Sequence, residues 1–329
     1  MTRLRATFLL SLAASLLAPA ALADNAGSAR PGTINYVEGQ ATLNGHTLAA
    51  TSAGHAEIGS GQTVSTTAGK VEVLLTPGVF LRLGDNSAVT MVSPDLTNTE
   101  VQLDRGTAEV EVDQLFKQNH LLVDQGPAKA ELRKKGLYEF DANANQLRVF
   151  DGEAEVSPSP EAQKWIKVKG HHELAVNGDA VKPEDFDPEQ AAKQDPLYAW
   201  SKLRADYLGQ ANENLAQEYA GTAGFVPGWY WDPWLTGYTW LPGDGLFFSP
   251  FGLGFYSPAY VYGGGFFYPG YGFHRGYYGG HFPYRSGHVS RAPSGRVFPR
   301  GGFRGGVAGG GFHGGGHFGG GGSHAGGRR

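Results

Sequence analysis

Glu109 and Glu111 are the first residues to test for chemistry, because paired carboxylates can share general acid–base work. They lie in the run Thr107-Ala108-Glu109-Val110-Glu111-Val112-Asp113. Alternate residues of a strand share one face, so the acids stand together opposite Ala108, Val110 and Val112. That is the pattern of a solvated strand face rather than of an acid–base pair. His171 and His172 could begin a metal site, but neighbouring strand residues point to opposite faces and do not readily share an ion. No Ser–His–Asp order stands in a nucleophile elbow, and no glycine loop carries the lysine and strand-to-helix setting of a phosphate cradle. The sequence therefore nominates no catalytic residue and no cofactor, and reads as a non-enzyme.

Binding chemistry has better candidates. His274, His281, His288, His313, His317 and His324 sit in glycine-rich chain, where neutral imidazoles can gather zinc, copper or nickel weakly. His313, His317 and His324 are the candidate metal ligands. Trp229, Trp231, Trp234 and Trp240, four of the six tryptophans, could stack on sugar rings. The alternative for them is a small aromatic core gathered round the helix that precedes them. Residues 300–306 read Arg-Gly-Gly-Phe-Arg-Gly-Gly, a tract type that binds RNA by phosphate attraction and arginine stacking.

The N-terminus argues against that last partner. Arg3 and Arg5 precede a short apolar run at residues 6–18, and Pro19 is followed by Ala21-Leu22-Ala23 before Asp24. This is the layout of a secretory signal with cleavage between Ala23 and Asp24. The alternative is an uncleaved N-terminal anchor. Export excludes cytoplasmic chemistry and makes nucleic acid an unsuitable partner. With no cysteine in the chain, neither a disulfide nor a lipid-bearing cysteine is available. No later stretch is apolar enough to predict a transmembrane helix.

Charge divides the chain. Residues 24–220 hold 17 Lys and Arg against 29 Asp and Glu; residues 221–329 hold 8 Arg, no Lys and 2 Asp, with 34 of the 51 glycines. An acidic front therefore precedes a basic, glycine-aromatic back. Within the front, residues 32–178 read as short strands. Val71, Val73 and Leu75 alternate with Glu72 and Leu74, and Leu147 and Val149 with Arg148 and Phe150. Asn44-Gly45, Asp151-Gly152 and Asn177-Gly178 are the two-residue turns of hairpins. The strand charges would also guard the sheet edges. Asp187-Pro188 and Asp195-Pro196 each place a capping residue before a proline at the first helical position. From there Leu197, Trp200, Leu203, Tyr207, Leu208, Ala211, Leu215 and Tyr219 form an apolar stripe, with Lys202, Asp206, Glu213 and Glu218 off it. This stripe would pack on the β-domain or the aromatic segment, or bind a partner. Residues 285–329 cannot bury enough apolar surface to order themselves and read as disordered.

The strand region resembles the FecR domain, the periplasmic sensor module of iron-uptake regulators. Residues 32–39 resemble its opening strand and 58–67 its G-x-x-(I/V)-x-T step. Residues 70–78 and 79–85 resemble paired strands around a glycine turn, 101–106 the L-x-x-G step, and 147–156 the last hairpin. The resemblance implies an all-β, solenoid-like fold. The usual Gly-Thr before the penultimate strand is replaced here by Lys135-Gly136-Leu137. A cleavable signal stands where the regulators carry an anti-sigma segment and a membrane helix, so sigma-factor control is not carried over. The segment from Trp229 to Gly245 looks like the tryptophan-rich extension of other exported bacterial proteins.

The expected protein is thus mainly β: a signal at 1–23, a linker at 24–31, a FecR-like solenoid or sandwich at 32–178 and a helical segment at 179–220. A Trp/Tyr/Gly/Pro-rich segment at 221–284 and the tail at 285–329 complete it. It is expected in the periplasm or at the cell surface, binding an envelope protein or glycan, with the basic tail adding peripheral contact. The alternative is a metal- or carbohydrate-binding envelope protein.

Overall fold

A period-two pattern of apolar residues builds fifteen strands that join one sheet. The computed structural model describes residues 29–176 and 182–264. The signal segment with Ala23 and Asp24, the Asn177-Gly178 turn, and the tail with His313, His317 and His324 lie outside the described residues. The strands are β1 (Ile34–Leu43), β2 (His46–Leu48), β3 (Thr63–Leu74), β4 (Val79–Leu83), β5 (Ala88–Asp95), β6 (Asn98–Arg105), β7 (Thr107–Val112) and β8 (His120–Gln125). They continue as β9 (Ala128–Leu132), β10 (Gly136–Asp141), β11 (Gln146–Asp151), β12 (Glu153–Ser157), β13 (Ile166–Lys169), β14 (His172–Ala175) and β15 (Glu184–Asp185).

The spatial order is β13-β12-β9-β8-β6-β5-β3-β4-β7-β10-β11-β14-β15, with the β1–β2 hairpin attached through β1 to β3. The long strand β3 serves two halves: its residues 63–65 pair with β5 and its residues 71–74 with β4. The sheet folds back there. Val64, Val89, Val101 and Val156 from one half share a single apolar core with Val73, Leu81, Val110 and Val149 from the other. The mainly β expectation holds, with one large sheet and few helices among the described residues.

Two turns written alike in the sequence behave differently. Asn44 (φ 49°) and Gly45 (φ 79°) close the β1–β2 hairpin as expected. Asp151-Gly152 does not close a hairpin. Strand β11 pairs with β10 and β14, whereas β12 pairs with β9 and β13. The chain turns a corner at Gly152 (φ 102°) and passes from one half of the sheet to the other. A Cβ there would lie 2.2 Å from the Tyr138 hydroxyl, which donates to the Lys134 carbonyl at 2.6 Å and accepts from the Glu153 N–H at 3.1 Å. Packing against Tyr138, which the local pattern does not reveal, selects the corner over the hairpin.

The acidic face is also not solvated. Glu109, Glu111 and Asp113 are buried, as are Glu72 and Arg82, and their strands lie inside the sheet rather than at its edges. The cover is the chain that follows: α1 (Pro188–Gln194), α2 (Pro196–Glu218), the hairpins β16 (Gly228–Asp232)–β17 (Gly237–Leu241) and β18 (Leu246–Phe248)–β19 (Gly254–Tyr256), and α3 (Pro258–Tyr262). The expected caps are present: Asp187 accepts from the Glu189 and Gln190 N–H groups, and Asp195 from that of Leu197.

Helix α2 presents a different face from its apolar stripe. Ser201, Arg204 and Asn212 are buried with Leu197, Trp200, Leu208 and Leu215, while Leu203 (49%) and Tyr207 (48%) are exposed. The surface beneath is charged, so polar side chains make the contact.

The glycines give a direct stability test. Gly152→Ala adds both a left-handed backbone penalty and a collision, and is expected to lower unfolding stability by about 2–5 kcal/mol. Gly45→Ala meets nothing within 4 Å and should cost only about 1–2 kcal/mol in the same urea titration.

Candidate functional site

The face under α2 is organised by strand register. One cross-strand row runs Tyr36, Glu72, Arg82, Glu109, Glu139, Arg148, Glu173 and Glu184 over β1, β3, β4, β7, β10, β11, β14 and β15. Directly opposed side chains on a sheet interact, so each member meets its neighbours in the row. Arg82 donates through Nε to Glu72 at 2.8 Å and through Nη1 to Glu111. Arg148 donates to Glu173 at 2.9 Å and to Glu139 at 3.1 Å.

Helix α2 closes the row from above. Arg204 donates to Glu72 Oε1 at 2.9 Å, and its guanidinium lies 4.0 Å from the centre of the Tyr36 ring. The Trp200 indole N–H donates to Glu38 at 2.9 Å. Burial alone would raise the Glu72 carboxyl, but Arg204 and Arg82 outweigh it and hold it near 2. Both arginines are thereby fixed against the sheet by one buried anion.

The aromatic segment is fastened by two buried amides. Asn35 accepts from the Tyr238 N–H at 2.7 Å and donates to the Tyr238 carbonyl and to Glu72, each at 2.9 Å. Asn212 of α2 donates to the Trp240 carbonyl at 2.8 Å and to that of Tyr256 at 3.1 Å, and accepts from the Tyr256 N–H at 2.7 Å. Each amide acts as a short piece of strand, pairing backbone groups that the hairpins would otherwise bury unmatched.

The four candidate tryptophans separate accordingly. Trp240 is fully buried against Phe247 and Phe255, Trp229 packs edge-on to Phe80 at 5.1 Å, and Trp231 packs on Tyr238 at 5.2 Å. Trp234, at the tip of the β16–β17 turn, is 95% exposed. His171 takes a positive φ in the turn before β14, and His172 faces Asp185 with Nε2 at 3.2 Å.

Three carboxylates converge where α2 begins. One ligand oxygen each from Glu109, Glu139 and Asp195 lies within 4.8 Å of the others. Burial raises Glu109 well above the carboxylate range; the Ser201 hydroxyl opposes that rise, and Asp195 and Glu139 add to it. Burial and the Asp195 carboxylate raise Glu139 to about 8 against the pull of Arg148. These three are the side chains placed to hold a cation among the described residues. The sequence points to Glu109 but not to its companions, since α2 delivers Asp195 from 86 positions away.

A second feature is open. A groove of about 640 Å³ runs between β1 and β3, edged by Gln40, Thr42, Thr47, Ser65, Thr67 and Arg105. Its walls offer hydroxyls, an amide and one guanidinium beside the β1 bulge between Gly39 and Ala41.

Residues 62–156, from the end of the connection after the first hairpin to Val156 in β12, match the family described as FecR protein. That span supplies Glu72, Arg82, Glu109, Glu111, Glu139 and Arg148. Asn35, Asp195, Arg204 and the aromatic cover lie outside it. Two crystal structures of a candidate anti-sigma factor from Parabacteroides distasonis ATCC 8503, at 1.65 and 2.50 Å resolution, are similar at 14% identity with a TM-score of 0.34. The alignment covers 40% of this chain and 62% of that one, less than two thirds of its length, and a superposition this weak carries no argument. No curated protein matches the sequence.

The Glu72 cluster gives a pH test. A folded-state value of about 2, below the ordinary carboxylate value of 4.5, makes the ionised cluster stabilising above about pH 4.5, a contribution lost as pH falls towards 2. Glu72→Gln should lower stability at pH 7 by about 3–5 kcal/mol, because Arg82 and Arg204 keep their charges. The gap to the wild type should narrow between pH 4.5 and 2 in urea titrations. A gap independent of pH across that window would mean the carboxyl is not ionised in the fold.

Proposed function

We propose that the chain is an exported, non-enzymatic protein of the bacterial cell envelope whose FecR domain is a binding or scaffold module for an envelope protein or glycan. The observation that carries this reading is the way the surface is divided. The inner part of the charged face, at Glu72, Arg82, Glu109 and Glu111, is covered by the chain's own helix and aromatic hairpins, which leaves recognition to strand edges, loops and open grooves. The groove over β1 and β3 is one such concavity, with hydroxyl, amide and guanidinium groups set among apolar surface. Beside it β2 pairs, among the described residues, with β1 alone, so it offers backbone groups to an added strand. Its hydroxyl, amide and guanidinium groups suit an extended polar polymer.

Signal-like residues at the N-terminus support export, and no helix among the described residues is long and apolar enough to cross a membrane. A basic tail supports peripheral, salt-sensitive adhesion to anionic envelope surfaces. Carbohydrate binding through an aromatic platform is the alternative reading, and among the four candidate tryptophans its support comes from the exposure of Trp234.

Co-sedimentation of the mature protein with washed cell envelopes tests the reading. Thr47→Glu combined with Arg105→Glu should weaken retention about tenfold, the loss of roughly 1.4 kcal/mol of binding. Leu203→Glu, on the exposed side of α2, should leave retention unchanged. Deleting residues 285–329 should remove its salt dependence. Absence of retention, or equal retention by groove and control variants, contradicts the proposal; loss confined to Trp234→Ala favours the carbohydrate reading.

A further inference from the structure

We propose that Glu109, Glu139 and Asp195 form a site for a hard divalent cation such as calcium, which ties the start of α2 to β7 and β10. The proposal is independent of envelope binding.

Geometry is the first support. Oxygens that all lie within 4.8 Å of one another span no more than twice a calcium–oxygen bond of about 2.4 Å. Carboxylate donors without sulfur or imidazole select hard cations.

Unmatched bonding capacity is the second. Glu109 is fully buried, and neither of its carboxylate oxygens makes a hydrogen bond within 3.5 Å, the Ser201 hydroxyl acting on it from beyond that reach; Glu139 Oε2, beside Asp195, is buried and makes none within 3.5 Å either. In such a place a carboxyl stays protonated unless a counter-charge lets it ionise, and a bound cation would supply that charge. The nearest arginines hydrogen-bond to other acids, Arg82 to Glu72 and Glu111 and Arg148 to Glu173 and the other oxygen of Glu139; Arg82 stands opposite Glu109 and draws on it by charge, with Nη2 unpaired, but makes no hydrogen bond to it. Glu111 and Asp113, also buried on this face, differ: Glu111 already holds Arg82, and no third carboxylate joins them among the described residues.

Access is the third. Glu139 and Asp195 line a cavity of about 430 Å³, whose polar wall includes Thr107, Asp141, Glu173 and Asp187. An incoming ion would keep water on that side and take protein oxygens on the other. The positive end of the α2 dipole opposes a cation at Asp195, and three acids in contact outweigh a half charge. Asp195 Oδ1 accepts from the Leu197 N–H at 2.7 Å, so capping and ligation use one carboxylate together.

The test is calcium titration of the chelator-treated mature protein, followed by calorimetry and by thermal unfolding. Expected are a saturable heat and a Tm higher by about 5–10 °C at a hundredfold excess over Kd. Glu109→Gln and Asp195→Asn should each abolish both signals. Gln keeps the buried shape without the charge, and Asn still caps the helix. Glu173→Gln, in the same cavity but outside the trio, should retain them. If one variant fails to fold, Glu139→Gln replaces it. The proposal is overturned if calcium gives neither signal at millimolar concentration, or if the trio variants respond like the wild type, which would put binding elsewhere on the acidic surface.

Discussion

A buried carboxylate at Glu72 is the constraint on which the rest of this structure depends. It accepts from Asn35 on β1, Arg82 on β4 and Arg204 on α2, so three elements distant in sequence meet on one anion. Charge cannot be left unpaired in an interior without large cost, and two arginines bound to one glutamate leave the neighbouring acids to find other partners. From this follow the polar inner face of α2, the amide forks at Asn35 and Asn212, and the acid-rich junction beneath Asp195. The apolar core between the sheet halves stabilises the strands; the charged row determines what may lie on top of them.

This arrangement changes what the FecR segment means in this chain. Residues 62–156 contribute a sheet face rich in ionisable groups, and the chain after Pro188 is shaped to cover it. The tryptophan-rich region is therefore a structural partner of the domain. Phe80, Trp229, Trp240 and Phe255 form an aromatic core on the outer side of the sheet, and of the four candidate tryptophans Trp234 alone stands clear. A recognition role for the molecule then rests on the groove, the free strand edge and the turn.

The strands, the Asn44-Gly45 hairpin and both proline-led helix starts were legible in the sequence because each depends on local chemistry. The sealed face was not. An alternating strand reads as half exposed unless something covers it, and nothing near Glu109 announces a helix 86 residues away. The stripe through Leu203 and Tyr207 misled for the same reason, since amphipathic reading assumes an apolar contact surface. One signal was available. Glu72 and Arg82 are equidistant from Pro77, so a hairpin at Pro77-Gly78 places them opposite each other as an ion pair. The corner at Gly152 needed Tyr138, which no local pattern supplies.

The central claim is that the charged row makes the β-domain, α2 and the aromatic hairpins one cooperative unit. Native-state hydrogen exchange in low denaturant measures this directly, because it resolves the free energy of opening for each element. The account predicts that amides of α2 and β17 open with the same free energy as those of β4 and β7. Exchange of α2 and β17 at a much lower free energy, with the sheet still protected, would contradict it and make the cover a separately unfolding layer.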